Sequence, residues 1–136
     1  METSPIIADF SEYPVVRVTI RGELSLETIR AHFETMERKT SEHSGPFVII
    51  DVALGKFIKG EVRTEIGKLT DRFVEKFEGR YLGSIVIIKN TLTRMMVSGA
   101  LLLVRNKSRV KLVESPHRAQ ALAQQWLEQA LVSKEV

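Results

Sequence analysis

Chemistry in this 136-residue chain would have to be built from three histidines, no cysteine and one aspartate set inside an apolar run. Without cysteine there is no thiol nucleophile, no disulfide and no thiolate-ligated zinc. His32, His43 and His117 fall in separate stretches, and no two have the i, i+4 spacing that points both imidazoles at one metal. His32 borders an apolar stripe and reads as half-buried packing. His117 falls in the first turn of the final helix, where the helix dipole disfavours an imidazolium. Asp51 interrupts the run FVIIDV near its C-terminal end, the strand end where parallel α/β sheets hold their ligands. It has no assigned base, nucleophile or metal partner, so alone it makes no catalytic site. Its plainer role is to accept backbone hydrogen bonds from the loop that follows, and a third reading makes it a general base. No Walker motif and no GxGxxG occurs. Gly55 and Gly60 flank KFIK, which places Lys56 and Lys59 at the same sheet end as Lys89, Asn90 and Thr91. Those residues form either an anion pocket against helix N-termini or an ordinary solvated rim. The expectation is a protein that is not an enzyme and that holds no metal or cofactor.

The elements that must position these residues follow from periodicity. Residues 5–9 and 14–20 read as strands joined by a turn around Ser11, Glu12 and Tyr13. In the second, Val16, Val18 and Ile20 alternate with Arg17 and Thr19. Ser25 is placed to cap a helix over about 26–40, with Leu26, Ile29, Phe33 and Met36 on one stripe. FVIIDV (47–52) suits a central strand covered on both faces. From Glu61 to Glu78, Val62, Ile66, Leu69, Phe73 and Phe77 repeat every three or four residues, and Gly79 stops the helix. LGSIVIIK (82–89) is a further buried strand. A helix over 91–105, a strand at 109–114 and a helix from Ser115-Pro116 to about 132 complete the order β-β-α-β-α-β-α-β-α. This predicts one α/β domain with a mixed, mostly parallel sheet.

The formal net charge of +3 conceals its distribution, because residues 79–113 carry seven basic and no acidic residues. A stretch of one sign makes a local potential larger than the total suggests. Lys107, Arg109 and Lys111 lie two apart, on one face or one edge of a strand; on an edge, lysines guard against unwanted pairing. No Phe, Trp or Tyr occurs over 82–125 to stack on bases, so nucleic acid is not the expected partner. The charge suits docking onto an acidic protein surface or, peripherally, onto an anionic membrane. MMVSGALLLV (95–104) is apolar nearly all round, too short for a bilayer span, and reads either as core or as an interface. Arg94, Met95, Met96, Leu101, Leu102, Leu103 and Arg105 are the candidate partner-binding residues, with a homodimer the simplest case. The opening METSPIIADF lacks the basic start and long apolar stretch of a signal peptide, and a cytoplasmic protein is expected.

Four places carry a family resemblance: GELSLETIR (22–30) after the opening hairpin, FVIIDV (47–52), NTLTR (90–94) directly after a strand, and RVKLVESPHRAQALAQQWL (109–127). Over about residues 4–130 the chain resembles STAS-type (SpoIIAA-like) domains, the fold of anti-sigma factor antagonists, and most of all their uncharacterised bacterial relatives. The resemblance implies a regulatory domain acting through protein partners. It also implies a phosphorylatable serine before the second helix, but FIKGE (57–61) has none, and Glu61 there is either a fixed anionic substitute or a dipole-complementing first-turn residue. The expected function is a non-enzymatic regulatory or scaffolding domain. The alternative is a module for a lipid or anionic metabolite, with Asp51, Lys56, Lys59, Lys89, Asn90 and Thr91 lining a pocket at the strand C-termini.

Overall fold

A computed structural model describes residues 5–53, 60–88 and 109–135. The candidate residues Lys56, Lys59, Lys89, Asn90 and Thr91, and all seven on the 91–105 segment, lie outside them. The elements are β1 (Ile6–Asp9), β2 (Val15–Ile20), α1 (Leu26–Ser41), β3 (Phe47–Ala53), α2 (Gly60–Lys76), β4 (Tyr81–Ile87), β5 (Val110–Val113) and α3 (Pro116–Glu135). They form one five-stranded sheet in the order β1-β2-β3-β4-β5, antiparallel between β1 and β2 and parallel thereafter. The α/β class and mixed sheet are as expected, each boundary within a few residues. The helix expected at 91–105 falls outside the described residues.

Ser25 caps α1 as its position required: its hydroxyl accepts the Thr28 N–H at 3.1 Å. Ile29 and Met36, from the apolar stripe, are fully buried. On α2, Val62 and Phe73 face the same core, and Gly79 follows the helix with φ +88°, a conformation glycine adopts without strain. Helices α1 and α2 cover one face of the sheet, over Val16, Val18, Phe47 and Ile49. The opposite face packs Val15, Val48, Ile50, Ile85 and Val113 against α3. Residues 47–50 are therefore apolar without alternation because both faces of β3 are covered.

Helix α3 approaches closely because Ala119 and Ala123 carry its contact face and Trp126 lies over a glycine. A Cβ on Gly83 would stand 2.7 Å from the Trp126 ring and 2.6 Å from the Arg109 carbonyl oxygen, so β4 has no room for a side chain there. β5 is a sheet edge, and Lys111 on it is exposed, as edge protection requires.

The basic stretch is not one surface among the described residues. Arg80 is bound into the fold: its guanidinium donates to the carbonyls of Thr40 (3.2 Å), His43 (3.1 Å) and Gly45 (3.0 Å) and to the Tyr13 hydroxyl (3.0 Å). It also lies 5.7 Å from the centre of the Phe47 ring and 5.5 Å from that of Phe77. Arg109 precedes β5 and pairs with Glu78 at 3.0 Å.

Candidate functional site

Strand β3 sends Phe47, Ile49 and Asp51 toward α1 and α2, and the register with β4 sets Asp51 opposite Val86 and Ile49 opposite Ser84. The pairing shifts between Phe47 and Val48, which face Tyr81 and Gly83 in turn and leave Leu82 as an extra residue. That bulge puts Tyr81 and Ser84 on one face although they are three residues apart; unbroken alternation would oppose them. The Tyr81 hydroxyl and the Ser84 hydroxyl are 2.6 Å apart.

Between this face and the two helices lies a cavity of about 250 Å³. Its lining among the described residues is aliphatic and aromatic, including Ile29 and Phe33 from α1, Ile66 and Phe73 from α2 and Val86 from β4. The polar exceptions are Asp51, His32, Thr70, Tyr81 and Ser84. The cavity lies within the helix–sheet layer and includes Asp51; the other residues expected to line a pocket at the strand C-termini lie outside the described residues.

Asp51 is partly buried and lines this cavity. Burial pushes its carboxyl up to about 7 from an ordinary 3.8, since an apolar surrounding penalises the anion. No hydrogen bond reaches its carboxylate from the described residues. The loop expected to donate backbone hydrogen bonds to Asp51, residues 54–59, lies outside the described residues. His32 is packed edge-on to Phe33 with ring centroids 5.3 Å apart, as its position beside the stripe suggested. Burial holds its imidazole down to about 4. Burial raises the Tyr81 phenol to about 12, opposed by the Ser84 hydrogen bond, with the nearby Asp51 charge adding to the rise. Near neutral pH the site therefore holds a neutral imidazole, a neutral phenol and a carboxyl present in both forms, able to give or take one proton or hydrogen bond.

Of the six expected ligand residues, Asp51 alone is among those described. No group of three or more metal-ligating side chains occurs among the described residues. His43 is occupied structurally, stacked on Tyr13 at 4.3 Å with Nδ1 2.8 Å from the Lys39 carbonyl oxygen. No helix among the described residues is long and apolar enough to cross a membrane. Thr70, Tyr81 and Ser84 escaped sequence reasoning. The available signal was a serine inside the apolar run YLGSIVI, but its face depends on the bulge. Neither the known protein-family models nor the curated proteins include a match to this chain.

Proposed function

We propose that this domain is a non-catalytic module that binds a small, mostly apolar ligand in the cavity between the sheet and helices α1 and α2. The observation that carries this reading is an apolar-lined space of about 250 Å³ with an acid in its wall. A cavity of ~150 Å³ accommodates benzene, so this one suits a body of about ten non-hydrogen atoms by proportion. The few polar groups amid apolar walls are the usual composition of a ligand site.

The test is a calorimetric titration with 1-octanol, with native mass spectrometry of the freshly purified protein. Binding of octanol is expected, and Val86→Phe, which puts a ring into the cavity beside Asp51, is expected to weaken it at least tenfold without lowering Tm. Octanol binding unaffected by Val86→Phe would place the ligand elsewhere, and no binding at all would end the reading.

The STAS resemblance supports a second proposal, a regulatory role through a protein partner such as a second copy of the chain. It rests on Met96, Leu102 and their neighbours, which lie outside the described residues. Leu102→Glu is expected to abolish association while leaving the circular-dichroism spectrum unchanged; a parent chain monomeric by light scattering that captures nothing specific would refute it.

A further inference from the structure

We propose that the cavity takes an organic cation, a small alkyl or arylalkyl amine whose ammonium group sits against Asp51 while its apolar body fills the space beneath α1 and α2. This rests on the ligand reading above and names the chemistry of the ligand's polar end.

Among the described residues Asp51 is an acid without a hydrogen-bond or ion-pair partner. Aspartate is almost never taken into a protein interior unless it is paired. Asp51 lines a mostly apolar cavity and is desolvated by burial, and the described residues offer its carboxylate neither a hydrogen-bond donor nor a basic side chain. The remaining titratable groups lining the cavity among the described residues are His32 from α1 and Tyr81 from β4. His32 is held neutral by burial and Tyr81 ionises only at high pH, so neither supplies a positive charge. The counter-charge that the described residues do not supply can come from a ligand.

The choice among ligand classes follows from the same side chain. An anion such as a fatty carboxylate would meet the like charge of Asp51, and no Lys or Arg lines the cavity among the described residues. A neutral alcohol would gain one hydrogen bond and leave the charge uncompensated whenever Asp51 is ionised. An ammonium group compensates that charge, and charge-assisted hydrogen bonds are roughly twice as strong as neutral ones. The fold already bears the desolvation of the carboxylate, so binding adds only that of the amine. Ammonium also has three donors, and the Tyr81, Ser84 and Thr70 oxygens lining the cavity can take those that Asp51 leaves.

Calorimetric titration with octylamine, 1-octanol and octanoate, three probes of one chain length, separates the possibilities. For the full chain at pH 7.5, octylamine is expected to bind at least tenfold more tightly than octanol, and octanoate more weakly than either. In Asp51→Asn, which keeps the shape and removes the charge, the advantage of octylamine over octanol is expected to vanish. Octylamine binding should also release protons below pH 7, read as an enthalpy that depends on the buffer, because the ammonium draws Asp51 into its ionised form. Octanol binding as tightly as octylamine, or an octylamine affinity unchanged in Asp51→Asn, would overturn the cation and leave the cavity reading standing. Failure of all three probes to bind would overturn both.

Discussion

Asp51→Asn is expected to stabilise this protein, and to do so more at pH 8 than at pH 5. The carboxyl ionises at about 7 in the fold against an ordinary 3.8. Between those values the folded chain binds more protons than the unfolded one, so stability falls as pH rises, and the loss is complete only above about 7. At ~1.36 kcal/mol per tenfold change in proton affinity, the full gap corresponds to about 4 kcal/mol. Asparagine does not titrate, so the variant's advantage over the parent is expected to grow by about 2–3 kcal/mol between pH 5 and pH 8.

His32 acts in the opposite sense. Its imidazole is held down to about 4 from 6.5, so the stability it contributes is complete above 6.5 and is lost as pH falls toward 4. The two groups oppose each other in the parent chain, whose stability should change little from pH 5 to 8 on their account. Removing Asp51 leaves the histidine slope uncovered, and Asp51→Asn should itself be the more stable at pH 8 by about 2 kcal/mol. Urea denaturation of both chains at the two pH values measures this. A difference between parent and variant that is the same at pH 5 and pH 8 would mean that Asp51 ionises like an ordinary surface aspartate.

Arg80→Ala is expected to cost about 3 kcal/mol, because truncation leaves several partly buried oxygens without a donor at ~1–3 kcal/mol each, with incomplete additivity. The guanidinium joins the end of α1, the loop before β3 and the turn before β2 through Thr40, His43, Gly45 and Tyr13. It also covers the faces of Phe47 and Phe77 in the core beneath. Arg80→Lys should recover little of the loss, since an ammonium group lacks the planar fork that serves these acceptors together. Denaturant midpoints of the two variants decide the matter. A cost of Arg80→Ala below about 0.5 kcal/mol, the range of an ordinary surface substitution, would return Arg80 to the solvent-facing charge that composition suggested.

Arg80 shows where sequence reasoning stops. In the chain it is one of seven basic residues in a stretch without acids, and it reads as surface charge. Its acceptors are carbonyls some 35 to 40 residues away, brought to it when α1 and α2 settle on the sheet. Arg109 is similar, since Glu78 meets it only because β5 lies beside β4. The helices themselves were readable. Ile29, Met36, Val62 and Phe73 repeat at helical spacing, and that stripe is what the sheet buries. Ser25 caps α1 through a bond spanning three residues, within reach of a local pattern.

The candidate site divides along the same line. A polar residue within FVIIDV marks Asp51, and one within YLGSIVI marks Ser84, but nothing local says that they share a face. That is decided by the pairing of β3 with β4 and by the extra residue at Leu82, which reverses the side on which Tyr81 would stand. The sequence by itself determined the α/β class, the order of the described elements and the strand carrying the acid, because hydrophobic period and capping act over a few residues. Tertiary structure alone decided that the acid opens into a cavity, that an imidazole, a phenol and a hydroxyl gather around it, and that part of the positive charge is spent inside the fold. Those features depend on strand register and on how closely helices approach a sheet, and distant residues set both.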